Sequence, residues 1–88
     1  MAINIYQPDS GQKIAYLAED EWELPAQLYI LQNWLVDIEK KLPPGSYIAD
    51  IGFQVRSDAS GGGGTLSVRS LQILAKLGME LYFSEYST

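Results

Sequence analysis

The feature that most constrains this chain is a change of hydrophobic period across Pro43-Pro44-Gly45. Before it, Leu24, Leu28, Leu31, Leu35, Ile38 and Leu42 recur at spacings of four, three, four, three and four, which lines one face of an α-helix. After it, Tyr47, Ala49, Ile51, Phe53 and Val55 alternate with Ile48, Asp50, Gly52, Gln54 and Arg56, the period of a β-strand with two different faces. Each segment has an apolar side that must be covered, so a helix packed on a sheet is expected. Pro25 suits a first helical turn, acidic residues precede the positive end of the helix dipole, Lys40 and Lys41 lie toward the negative end, and Pro43-Pro44-Gly45 is the expected stop.

The flanks supply the remaining elements. Ala2 to Tyr6 alternates and contains Ile3 and Ile5, Pro8-Asp9-Ser10-Gly11 carries turn chemistry, and Lys13 to Ala18 is a second apolar run, so a β-hairpin is predicted. Ser67 is a good N-cap, with Leu66 placed to staple against Leu71. That second helix runs through Leu71, Leu74 and Leu77 to a left-handed terminator at Gly78, before a last strand from Met79 to about Tyr86. The order is ββαβαβ. With 88 residues there is room for one core, and the expected fold is a single α+β domain over residues 1–88. It is a two-layer sandwich: a mixed four-stranded sheet with two helices on one face, and Ile51, Phe53, Leu81 and Phe83 in the shared core. The other sheet face is expected to be wetter, with Asp50, Gln54, Tyr82, Ser84 and Tyr86, and Tyr6 or Tyr16 alongside.

Composition excludes several functions. The chain has no cysteine and no histidine, which removes disulfides, thiol nucleophiles, the usual zinc sites and Ser-His or Cys-His catalysis. The reducing interior of a cell, and so the cytoplasm, is the expected location. The first residues carry no basic region followed by a long apolar stretch, so no signal peptide is expected, and no run is long enough to span a membrane. Six basic against eleven acidic residues give a net charge of -5, which repels phosphate backbones and anionic lipid; no nucleic-acid or membrane partner is expected.

The stretch Leu66-Ser67-Val68-Arg69-Ser70-Leu71-Gln72-Ile73-Leu74-Ala75-Lys76-Leu77-Gly78-Met79-Glu80-Leu81-Tyr82-Phe83-Ser84-Glu85-Tyr86 resembles the C-terminal part of an uncharacterised bacterial family, a domain of unknown function. The shared features are a Leu-Ser start, a leucine-rich helix, a Leu-Gly stop and a strand ending near tyrosine. The similarity is weaker over Gln27 to Leu42 and absent before Trp22, and the chain is shorter than typical members. The resemblance supports the fold and implies no agreed activity.

Several residues could carry chemistry. Ser57-Asp58-Ala59-Ser60-Gly61-Gly62-Gly63-Gly64 before a helix N-terminus could cradle an anion, flanked by Arg56 and Arg69. It lacks a following lysine and any phosphate-loop or dinucleotide pattern, so a flexible connection is expected, with the arginines as solvated surface charge. Glu19, Asp20, Glu21 and Glu23 lack calcium-loop spacing and read as a helix-entry cluster. Trp22 beside them reads as a core lid or a partner contact; Ile30 and Trp34 widen the buried face of the first helix. Asp50 has no partner for acid-base work at a recognisable spacing. Tyr82 and Tyr86 share a strand face to which Tyr16 can add, and tyrosine is enriched at protein interfaces. The expectation is a non-enzymatic protein-interaction module without a cofactor, binding a partner or itself through the tyrosine face or a strand edge. Inhibitors or immunity-like proteins that cover basic active sites are one such class. The alternative is a small-ligand or phosphate-binding protein using the Gly61 to Gly64 loop, Arg56 and Arg69.

Overall fold

The structure, a computed structural model, describes residues 2–61 and 63–87. Its elements follow the order β1 (Ile3–Tyr6), β2 (Lys13–Leu17), α1 (Leu24–Ile38), β3 (Tyr47–Gln54), α2 (Val68–Leu77) and β4 (Met79–Tyr86). The sheet is mixed and four-stranded, in the order β2-β1-β3-β4, with β1 antiparallel to both of its neighbours and β3 parallel to β4. Both helices pack on one face, against Ile3, Ile5, Tyr47, Ala49, Ile51 and Met79, and the α+β architecture is the expected one.

Local chemistry explains the element ends. In the hairpin Gln7 N–H donates to Gln12 C=O at 2.8 Å, Gly11 N–H donates to Gln7 C=O at 2.8 Å, and Gly11 takes a φ of 73° that suits glycine. Helix α1 carries Pro25 in its first turn and stops at Ile38, before the Pro-Pro-Gly sequence. Lys41 and Leu42 both donate backbone N–H groups to Ile38 C=O, so the chain leaves the helix through a tight turn that still tucks Leu42 against the core. Ser67 caps α2 by accepting the Ser70 N–H, and Gly78 ends it at φ 75°. A Cβ on Gly78 would overlap the Gly45 carbonyl, so glycine is required there by contact as well as by conformation.

The core is formed where the helical stripes meet the odd-numbered strand residues. Leu31, Leu35, Ile51 and Leu77 are fully buried. Each such side chain contributes about 1.5–3 kcal/mol by leaving water. The buried stripe of α2 is Ser70, Ile73, Leu74 and Leu77, whereas Leu71 points to solvent; Leu66 packs on the core without the expected staple to Leu71. A serine is tolerated there because Ser70 Oγ donates to Gln32 Oε1 at 2.8 Å.

Two expected core residues lie outside it. Phe53 is half-buried and Phe83 is 53% exposed, the rings meeting edge to face with centroids 6.4 Å apart. Both lie at the far ends of their strands, where Phe53 shares an open cleft with Leu24 at the start of α1 and Phe83 lies beyond the buried stripe of α2. A ten-residue helix is about 15 Å long, while an eight-residue strand runs about 26 Å. Because α2 is joined through Gly78 to the beginning of β4, it covers only the first part of that strand.

Candidate functional site

The face of the sheet away from the helices is built by the alternation of all four strands. Register places Tyr16 opposite Asn4, Asn4 opposite Asp50, and Asp50 opposite Tyr82, so one row crosses the whole sheet with an aromatic ring at either end and polar groups between. A parallel row runs Lys13, Tyr6, Ile48 and Glu80. Both Tyr6 and Tyr16 therefore belong to this face. Lys13 reaches it because β2 carries a bulge: Ala15 faces Ile5 and Lys13 faces Tyr6, leaving Ile14 as the extra residue.

The face is wet at its ends and closed in its middle. Tyr16 is 41% exposed and Tyr82 47%, whereas Ile48 and Gly52 are buried and Asn4, Tyr6 and Asp50 are half-buried. Ser84 Oγ donates to Asp50 Oδ1 at 2.7 Å, which fixes the carboxylate beside Tyr82. Lys13 Nζ lies 3.5 Å from the Tyr16 ring centroid, a cation-π contact. The buried Asn4 Oδ1 has no hydrogen-bond partner.

Tyr86 and Trp22 make a separate corner. Their rings meet edge to face at 5.9 Å, and both lie over Gly52, where a Cβ would come within 2.9 Å of the Tyr86 ring. Trp22 is thus a half-buried lid, and it covers the outer sheet face instead of the helix-side core. Its backbone is fixed too: Gln54 N–H donates to Trp22 C=O at 2.9 Å, so this segment continues beside β3 where β1 has ended. Tyr86 remains 52% exposed, but its ring is engaged by the fold in a way that Tyr82 is not.

The arginines do not converge. Arg69 donates to Glu39 at 2.9 Å, and Lys76 lies 3.8 Å from the same carboxylate, an ion-pair group tying α2 to the end of α1. Arg56 lies 4.0 Å from Glu23 and lines an open cleft of about 300 Å³ with Leu24, Phe53, Gly61, Gly63 and Glu85 among its walls. Gly62, part of the expected loop, lies outside the described residues. Gly64 packs closely on α1, and a Cβ there would require the end of the Leu28 side chain to shift. Among the described residues no group of three or more acidic side chains is gathered to hold a metal ion, and no helix is long and apolar enough to cross a membrane.

Two glutamines that composition and periodicity leave unnoticed hold this arrangement. Gln27 is fully buried, and its Nε2 donates at 2.7 Å to both Glu21 C=O and Gly52 C=O, joining the Trp22 segment to β3. Its signal was positional: it sits three residues after Leu24 and beside Leu28, on the buried stripe of α1. Gln32 accepts from Ser67 N–H at 2.8 Å and donates to Thr65 C=O at 2.9 Å, clamping the N-terminus of α2. No family model, curated protein or solved structure matches this chain.

Proposed function

We propose that this chain is a non-enzymatic protein-interaction module that binds through the outer face and edge of its sheet. The observation carrying the reading is the row Tyr16, Asn4, Asp50 and Tyr82, which crosses all four strands with no helix over it and both terminal rings exposed. Tyrosines in this setting offer broad apolar contact and a hydroxyl at small entropic cost, and aromatic anchors often carry about 2 kcal/mol or more of binding energy. Asp50, Glu80 and a net charge of -5 favour a partner surface that is basic or neutral. Inhibitor-like and immunity-like roles fall within this class.

A second reading is a small-ligand or phosphate-binding protein. The cleft beside Arg56, Gly61 and Gly63 favours it, because it lies past the C-terminal ends of the parallel strands β3 and β4, where ligands of α/β sheets bind. Against an anion stand Glu85 in the wall, the pairing of Arg56 with Glu23, and the engagement of Arg69 elsewhere. The test compares immobilised wild type with Tyr82→Ala for capture of host proteins, while sulfate and nucleotides are titrated against backbone amide shifts. Loss of a captured protein in the folded variant supports the interaction reading. Capture unchanged by Tyr82→Ala, with saturable shifts at Arg56, Gly61 and Gly63, would replace it by the ligand reading.

A further inference from the structure

We propose that Tyr82, with Asp50 and Glu80 beside it, is the seat for an arginine side chain of a basic protein partner. The proposal rests on the interaction reading above and names the chemistry of its anchor. It starts from what each exposed tyrosine of the outer sheet face has against it. Lys13 Nζ stands 3.5 Å from the centroid of the Tyr16 ring, and Trp22 packs edge to face on Tyr86 at 5.9 Å. Tyr82 is 47% exposed, and among the described residues no cation and no other ring is paired with it.

The groups around Tyr82 decide what can cover it. Register puts Asp50 of β3 directly across from Tyr82, and strand alternation puts Glu80 on the same face two residues earlier in β4. Neighbouring strands are about 4.8 Å apart and residues i and i+2 about 7 Å, so one side chain lying on the ring can reach both carboxylates. Among the described residues no ion pair includes either of them. Asp50 is half-buried, and Ser84 Oγ donates to its Oδ1 at 2.7 Å, which fixes the carboxylate and leaves its second oxygen to accept from a donor outside the chain.

An apolar occupant would cover the ring but would strip water from two carboxylates without replacing it, and a second copy would add carboxylates and a further net charge of -5. A cation meets both needs. Arginine fits better than lysine, because its planar guanidinium stacks on an aromatic face while its edge donates two hydrogen bonds to a carboxylate. The chain builds half of this arrangement within itself, where Lys13 covers Tyr16. The β2 end of the face thus carries a lysine and the β3-β4 end two carboxylates, so a basic segment is drawn to Tyr82 and not to Tyr16.

A capped Gly-Arg-Gly peptide, titrated against the backbone amide shifts of the whole chain, tests this at about 0.15 M salt, where diffuse attraction to an acidic surface is largely screened. Saturable shifts are expected at Asp50, Glu80, Tyr82 and Ser84, with a Kd on the order of 1–10 mM for so small a ligand. Gly-Lys-Gly should bind about threefold or more weakly, and the citrulline peptide, which keeps the shape without the charge, should give no saturable shift. Tyr82→Ala and Asp50→Asn should each weaken the arginine peptide about threefold or more. Asparagine keeps an oxygen for Ser84 Oγ, so that variant is expected to fold; urea unfolding checks each one, and Glu80→Gln, at an exposed position, reads the charge should either variant unfold. Citrulline binding as well as arginine, shifts spread evenly over the acidic surface or centred on Tyr16, or no saturable shift up to about 50 mM peptide would each overturn the proposal. A host protein whose capture needs Tyr82 but is unchanged by Asp50→Asn and Glu80→Gln would leave the interaction reading standing and remove the arginine.

Discussion

The two edges of the sheet are built differently. Strand β2 has five residues, a bulge at Ile14 and a lysine folded over its exposed tyrosine, whereas β4 has eight residues in unbroken register and no basic side chain. A bulge twists the outer backbone away from a regular ladder and a lysine makes docking another strand costly, so β2 is a closed edge. Strand β4 has neither of these devices, and its only charged residues are Glu80 and Glu85. The strands also differ in how they are held: β2 comes straight back from β1 through a hairpin, while β4 arrives from a helix that must pack across the sheet.

The largest expected effect tests that difference in anchoring. Leu77 is fully buried at the end of α2, one residue before Gly78 and two before β4, whereas Leu17 at the end of β2 is only half-buried. Leu77→Ala should cost about 2–5 kcal/mol and Leu17→Ala clearly less, measured by urea unfolding. Equal losses would show that the hairpin edge is as deeply anchored as the crossover edge.

How much of this was legible in sequence follows from the range of each interaction. The Ser67 cap and the Gly78 stop are local signals that lie where they were expected, whereas the stripe read from Leu24 to Leu42 is helical only to Ile38, short of Lys40 and Lys41, and the alternation read from Tyr47 to Val55 is strand only to Gln54. Phe83 was misplaced because alternation reports which face a residue takes, not whether a helix is long enough to cover it. Leu71 was misplaced because the buried stripe of α2 is completed by Ser70 and Ile73 beside Leu74 and Leu77, and Ser70 is held there by its hydrogen bond to Gln32. The tyrosine row needed strand order and register, which depend on pairings between residues far apart in the chain; the bulge that brings Lys13 onto Tyr16 has no sequence signature at all. Gly64 differs from its neighbours in a way that composition obscures, since only its close contact with the Leu28 side chain separates it from Gly61 and Gly63, where a Cβ would meet nothing.

A middle-sized effect separates the two ends of β4. Tyr86 packs edge to face on Trp22 above Gly52, so Tyr86→Ala should lower stability by about 1–2 kcal/mol through loss of the aromatic pair and the cover over the sheet. Tyr82 makes no such contact, and Tyr82→Ala should change stability by about 0.5 kcal/mol or less. Thermal unfolding of the two single variants gives the answer. Were Tyr82→Ala the more damaging, its ring would be part of the fold and the case for a binding anchor there would be lost.

The smallest expected effect on stability falls on β2 and bears most directly on why one edge is closed. Lys13 contributes an exposed cation-π contact with Tyr16, a geometry that supplies roughly 0.5–1 kcal/mol, so Lys13→Thr should leave the unfolding midpoint nearly unchanged. Threonine is also a better strand former than lysine, which offsets part of that loss. What should change is association. With the charge gone and the Tyr16 ring uncovered, β2 loses one of its two protections, and light scattering should detect more self-association than in wild type as concentration rises. If Lys13→Thr instead behaves like wild type, the bulge at Ile14 is enough to close the edge, and the lysine serves only to shield the tyrosine ring.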